Sequence, residues 1–195
     1  MIRLGLTGSI GMGKSTTASM FAACGIPVHD ADAVVHMLYS GHAAPLIENA
    51  FPGTVIEGQV DRARLSALVL GRPHEMKRLE NIVHPLVHDA ENAFLENARI
   101  SRRRLVVLDI PLLFETGGDK RVDAIVVVTA GGGVQSKRVL ARPGMTQERF
   151  TAILSRQMPD AEKRRRAHFL IDTGLGLESA RRSVSAIIRS LSSHP

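Results

Sequence analysis

The chain has 195 residues, 44% of them hydrophobic, which is enough to fill the core of one globular domain with excursions. No apolar run reaches the length of a membrane span, and the single cysteine, Cys24, excludes an internal disulfide. A net charge of +6 suits a polyanionic ligand, but 4% aromatic residues and no Trp argue against a base-stacking nucleic-acid platform.

Ile2, Leu4 and Leu6 alternate as in a short strand. No basic segment and apolar stretch of a secretory leader precedes them, so a cytoplasmic location is expected. Gly8-Ser9-Ile10-Gly11-Met12-Gly13-Lys14-Ser15-Thr16 then fits G-x-x-x-x-G-K-[ST], the phosphate-binding loop of nucleoside triphosphatases. The run Thr16 to Cys24 reads as the helix that must follow, with Cys24 as a small buried residue and Gly25 as the stop. Glycines let such a loop curl so that backbone N–H groups converge on phosphate oxygens, and the helix adds the positive end of its dipole. Gly11, Met12, Gly13, Lys14, Ser15 and Thr16 are therefore the expected contacts of a nucleotide's phosphates. Lys14 reaches the β- and γ-phosphates, and the Ser15 hydroxyl binds Mg²⁺.

Ile26 to His29 is the second strand, closed by Asp30-Ala31-Asp32. Ligands of parallel α/β sheets lie beyond the carboxyl ends of the strands, so both carboxylates qualify as groups facing a substrate. Capping the next helix, which carries Val34, Val35, Leu38 and Tyr39, is the other use of an Asp there. Residues 43 to 103 show no convincing strand. Pro45 to Ala50 and Val60 to Leu70 read as helices, the second capped by Asp61. Glu75 to Val83 reads as a third, interrupted at His84-Pro85, where Pro85 opens a long helix. So long a helical stretch between strands exceeds a simple crossover and predicts a substrate-binding insertion.

Leu105 to Leu108 is an apolar run suited to a strand buried on both faces. Asp109 at its end is a candidate for the Mg²⁺ shell. Leu112, Leu113 and Phe114 form an adjacent apolar group in a loop, which predicts a ligand-contact surface; a loop folded into the core is an equal reading for Leu112. Ile125 to Val128 is the next buried strand, and Gly131-Gly132-Gly133 a flexible turn after it. Gln135, Arg138 and Arg142 share one face of the helix beyond. Thr146 caps another that leads through Arg149, Arg156 and Gln157 to Pro159. Arg138 and Arg142, just past a glycine hinge, read as lid arginines closing on triphosphate, with a solvated helix face as the alternative. The cluster Arg102-Arg103-Arg104 reads as a solvated helix end, whereas Lys163-Arg164-Arg165-Arg166 reads equally as that or as a group near phosphates. Phe169 to Ile171 is the fifth strand, and Leu177, Ala180, Val184, Ile187, Ile188 and Leu191 form the apolar stripe of a closing helix.

Together, G-L-T-G-S-I-G-M-G-K-S-T, D-A-D at 30–32, H-P at 84–85, P-L-L-F-E at 111–115, and the Gln135–Arg138–Arg142 helix running to R-Q at 156–157 closely resemble dephospho-coenzyme A kinase, in order and spacing over nearly the whole chain. The resemblance implies an α/β, P-loop nucleoside-kinase-like three-layer fold with a five-stranded parallel sheet, a helical substrate-binding insertion and a helical lid. On this chain the nucleotide-binding core falls at 1–32, 104–132 and 167–195, the acceptor domain at 33–103 and the lid at 133–166. It implies transfer of phosphate from ATP, with Mg²⁺, to the ribose 3′-hydroxyl of dephospho-coenzyme A, the last step of coenzyme A synthesis. It sets the ATP phosphates on Gly11 to Thr16 with Arg138 and Arg142 as lid arginines near ATP, favours Asp32 as the carboxylate facing that hydroxyl, and implies that His84, Leu112, Leu113 and Phe114 lie on the acceptor side. ATP and dephospho-coenzyme A are the expected partners of a monomer or small homo-oligomer, with no nucleic acid and no membrane. Met12, His168 and Thr173 depart from the family's usual residues, and Thr173 puts an adenine contact by that side chain in doubt. The alternatives are another small-molecule kinase resembling shikimate kinase, or a nucleotide-gated switch or nucleic-acid module.

Overall fold

The structure, a computed structural model, describes residues 1–192; the last three residues of the expected 167–195 core segment lie outside it. In chain order the elements are β1 (Ile2–Thr7), α1 (Lys14–Ala23), β2 (Val28–Asp30), α2 (Ala31–Tyr39), α3 (Ala43–Ala50), β3 (Val55–Ile56), β4 (Gln59–Val60), α4 (Arg62–Val69) and α5 (Pro73–Ile100). There follow β5 (Leu105–Asp109), β6 (Ala124–Thr129), α6 (Gly132–Leu140), α7 (Gln147–Leu154), α8 (Asp160–Arg166), β7 (Phe169–Asp172) and α9 (Leu177–Ser192). They divide into two compact units, one of Met1–His29 with the chain from Ala98 onward, the other of Asp30–Asn97. The expected lid stretch, 133–166, lies within the first unit.

The first unit is built on a five-stranded sheet in the order β2-β5-β1-β6-β7. β1 runs parallel to β5 and to β6, and β6 parallel to β7, as the α/β expectation requires. Every residue of β5 and β6 is buried, which is why both are continuous apolar runs rather than alternating ones. Leu4, Leu6, Val107 and Val126 meet Phe21 of α1 and Ala180, Val184 and Ile187 of α9 in one core. The register sets Leu6 of β1 beside Asp109 of β5, so the end of β5 lies next to the loop that leaves β1. Cys24 is exposed rather than buried, because it stands at the C-cap of α1, past the face that packs on the sheet.

The second unit has its own core, in which Val34 and Leu38 of α2 pack with Ile47, Phe51, Leu65, Val69, Leu79 and Val83. Asp61 caps α4 as expected, accepting from the N–H groups of Ala63 and Arg64. Two readings of this stretch need correction. A short antiparallel hairpin, β3–β4, interrupts the helices, turning through Glu57 and Gly58, both with positive φ. Two-residue strands are too short to show alternation, which is why the hairpin escapes pattern reading. His84-Pro85 does not divide the long helix either: α5 runs unbroken with Pro85 inside it. An interior proline costs about 3 kcal/mol. Here Leu79 and Val83 before it and Leu86, Val87 and Ala90 after it all pack on the same core, and that burial holds the helix together.

Candidate active site

β1 feeds a glycine loop that ends where α1 begins at Lys14. Gly11 sits at φ +78, and a β-carbon there would lie 2.4 Å from Val139 Cγ2, so both conformation and space require glycine. Gly13, at φ +92, is the N-cap of α1, and no side chain caps that helix. The first-turn N–H groups of Lys14, Ser15 and Thr16 are the orphan donors that every helix start leaves, and they gather at the loop with the dipole's positive end. The Met12 N–H donates to the Ser9 carbonyl at 3.1 Å, and its side chain is buried with Sδ accepting from Ala130 N–H, so that side chain shapes the loop from within.

The Lys14 ammonium meets Asp109 Oδ1 at 2.5 Å. Asp109, the last residue of β5, is only 1% exposed. A phosphate-loop lysine and a buried carboxylate at the end of a central strand thus converge.

On the other side of the loop stands α6. Gly132 and Gly133 belong to its first turn and Gly131 is its N-cap, so the glycine run starts a helix rather than forming a loose hinge. The Arg138 guanidinium donates to Thr173 Oγ1 at 2.8 Å and to the Thr173 carbonyl at 3.0 Å, while Thr173 Oγ1 donates to the Met12 carbonyl at 2.7 Å. Thr173, noted in the sequence only as a departure, therefore fastens Arg138 to the phosphate loop. Gly11, Gly13, Thr16, Arg138, Arg142 and Thr173 line a cavity of about 360 Å³. Gln135 also turns to the loop, donating to the Ile10 carbonyl at 2.8 Å. His168, the other departure, accepts from Ile125 N–H through Nδ1 at 3.2 Å and so fastens the entry of β7 to β6.

In the second unit Asp30, not Asp32, caps α2: its Oδ1 accepts from Ala33 N–H at 3.0 Å. Asp32 is exposed in the first turn and lines a pocket of about 520 Å³ with Tyr39, Arg62, Leu65 and Met76. The Arg62 guanidinium lies over the Tyr39 ring, 5.4 Å from its centre. His84 is exposed on α5 and is not part of this lining.

The P-L-L-F-E stretch is mostly not the open apolar surface expected of it. Leu112 is 40% exposed, but Leu113 is fully buried and Phe114 is 7% exposed, under the Arg166 guanidinium. Both are core residues here, because the turn after β5 folds back on the sheet; a β-carbon at Gly5 of β1 would touch Leu113 at 3.0 Å. Phe114→Ala is therefore expected to act on stability, by about 3–5 kcal/mol as for other buried aromatic truncations. A lowered melting temperature with an unchanged acceptor KM in the folded fraction is the expected pair of results. An unchanged melting temperature with a raised acceptor KM would return Phe114 to the binding surface.

Near the site, Glu115 and Lys163 form a buried pair that sequence reading missed. Lys163, inside the basic cluster, is completely buried and pairs with Glu115 at 2.9 Å. Its neighbours Arg165 and Arg166 pair with Glu162 on the surface, so the cluster is not a uniform solvated helix end. Burial pushes the Glu115 carboxyl up, but hydrogen bonds from Lys163 and the Met158 N–H outweigh it and hold the group below the ordinary carboxylate range. The signal available in sequence was one basic residue within four at a helical position facing inward.

Among the described residues no three His, Cys, Asp or Glu side chains gather as a metal cage, and no helix is long and apolar enough to cross a membrane. A parallel sheet whose central strand runs through a glycine loop into a helix, with lysine and carboxylate meeting at the loop, defines a P-loop nucleotide-binding kinase fold. Within that class the chain belongs to the dephospho-CoA kinase family, whose family model, CoaE, matches residues 2–178. It is 64% identical over 191 residues to a dephospho-CoA kinase of Mesorhizobium japonicum, covering 98% of this chain and 97% of that one. The solved structure of TT1252 from Thermus thermophilus matches with a TM-score of 0.82 at 36% identity, covering 97% of each chain. A dephospho-CoA kinase from Campylobacter jejuni matches with a TM-score of 0.64 at 24% identity over 97% of this chain and 96% of its own, a likeness that bears on the fold. The family phosphorylates dephospho-coenzyme A with ATP, the final step of coenzyme A synthesis. Its membership displaces the shikimate-kinase-like and switch alternatives.

Proposed function

We propose that this chain carries out its family's reaction at the ribose 3′-hydroxyl of dephospho-coenzyme A, with ATP phosphates on the loop at Gly11 to Thr16. The convergence of Lys14 and Asp109 beside that loop is the observation that carries the reading. Lys14 offsets the charge of the transferring group, and the orphan N–H groups of α1 hold the phosphate oxygens. Asp32 accepts the hydroxyl proton. It is exposed, lines the second unit's pocket and is relieved of capping by Asp30. Leu112 and His84 are exposed acceptor-side contacts. Ser15 and Asp109 would hold Mg²⁺. A hydroxyl and a carboxylate are the hard oxygen donors this ion takes, and so small a protein set suits an ion that keeps waters and phosphates in its shell. When bound it supplies charge compensation across the β- and γ-phosphates.

The stretch 133–166 acts as the lid, with Arg138 and Arg142 its arms on ATP. Replacing either by Ala is expected to weaken ATP use more than dephospho-coenzyme A binding, because both arginines line the loop-side cavity. Calorimetry showing both ligands equally weakened would remove the lid role. The protein works in the cytoplasm as a monomer or small homo-oligomer, without membrane or nucleic-acid partners; against the last, Arg165 and Arg166 with Glu162 and Arg181 with Glu178 form surface pairs within the chain. The direct test is ADP formation on adding dephospho-coenzyme A, with shikimate as the comparison acceptor. Absence of ADP with dephospho-coenzyme A would overturn the reading.

A further inference from the structure

The dipeptide R-Q at 156–157 and the glutamate of P-L-L-F-E have so far no part in the chemistry. In the structure they meet. Gln157 Oε1 accepts from the Ile10 N–H at 3.1 Å, and Gln135 Nε2 donates to the Ile10 carbonyl at 2.8 Å. The two peptide groups flanking Ile10 are thus gripped from two different segments, immediately before Gly11. The peptide that follows Gln157 is fixed in turn, for the Met158 N–H donates to Glu115 Oε1 at 2.7 Å. Glu115 Oε1 also takes the ammonium of fully buried Lys163 at 2.9 Å. Asp160, between Met158 and Lys163, accepts from Thr129 Oγ1 at 2.9 Å, so the whole segment is pinned to the end of β6.

We propose that Gln157 and Glu115 are positioning residues for ATP: Glu115 anchors the Gln157–Met158 peptide, and Gln157 with Gln135 holds Ile10 so that the loop's next N–H groups converge on phosphate. The inference rests on the loop being the ATP site. Its physical basis is preorganisation. A glycine loop has many backbone states of similar energy, and donors that must be ordered when the ligand arrives bind it less well. Fixing the one non-glycine residue between Ser9 and Gly11 by both of its backbone groups removes that cost at the entry of the loop. The Ile10 N–H, spent on Gln157, is not itself a phosphate donor. The glutamate of P-L-L-F-E therefore serves the nucleotide side, not the acceptor.

Gln157→Ala removes one hydrogen bond, so the ATP KM is expected to rise roughly threefold to tenfold, with the dephospho-coenzyme A KM and melting temperature near wild type. Two double variants test the anchor. Glu115→Gln with Lys163→Met keeps an acceptor for the Met158 N–H, while Glu115→Ala with Lys163→Met does not. Both remove the buried ion pair; Lys163→Met and Glu115→Gln keep the volume, whereas Glu115→Ala does not, so the ATP KM is compared with the dephospho-coenzyme A KM and melting temperature of each double. The Ala-containing pair is expected to raise the ATP KM as Gln157→Ala does, and the Gln-containing pair to stay near wild type. Equal ATP KM values in the two doubles, or a wild-type ATP KM in Gln157→Ala, would overturn the proposal. Lys14→Ala run alongside separates the two readings. Retained activity there overturns the loop as the ATP site, whereas lost activity there with equal doubles overturns the clamp alone.

Discussion

Lys14→Ala is expected to lower kcat/KM by about 10²-fold or more, the loss that follows removal of one preorganised electrostatic contact to a transition state. Phosphoryl transfer leaves little covalent work to the protein; positioning and charge compensation are most of what it supplies. In the proposed mechanism Lys14 supplies both from the first residue of α1, where backbone geometry fixes its origin and the 2.5 Å contact with Asp109 fixes its direction. Alanine keeps the helix start, since the N-cap is Gly13 and uses no side chain. Steady-state kinetics on protein shown by circular dichroism to be folded make the measurement. Near-normal turnover would refute the assignment of the loop.

Asp32→Asn is expected to lower kcat by about 10²–10⁴-fold, the usual range for loss of a general base, while ATP affinity stays ordinary. A ribose hydroxyl is a poor nucleophile at neutral pH, and its proton must be accepted as the new bond forms. The structure sharpens this experiment. Because Asp30 caps α2 through Oδ1, Asp32→Asn leaves the cap untouched, and a loss of activity is not a loss of helix. Asp30→Asn is the matched control. Asn caps about as well as Asp, so that variant is expected to keep nearly full activity. Wild-type kcat in Asp32→Asn, or a collapse confined to Asp30→Asn, would transfer the role of base to Asp30.

Lys14 and Ser15 were legible in the sequence because a phosphate loop is local. Strand, glycine turn and helix start are consecutive, and backbone geometry alone places their donors. β5 and β6 were legible for a related reason: burial on both faces leaves an unbroken apolar run, and Asp109 marks where it stops. Caps read within four residues also held, at Asp61 and Thr146. Asp30 and Asp32 were indistinguishable, since both stand in the same turn and only the side-chain direction separates a cap from a free carboxylate. Leu113 and Phe114 looked like binding surface because sequence does not say which way a loop folds, and the sheet drew them in. Arg138's grip on Thr173, 35 residues away, Gln157's on Ile10, 147 away, and Met158's on Glu115, 43 away, had no local trace. Such pairs form only when strand order has brought distant segments together, and burial then makes a partner obligatory for Glu115 and Lys163, whose charges would otherwise be stranded in the core. The sequence by itself determined the nucleotide class and its local motif; tertiary structure alone decided which side chains are buried in the core and which hold the loop, because that choice depends on contacts made across the fold and not along the chain.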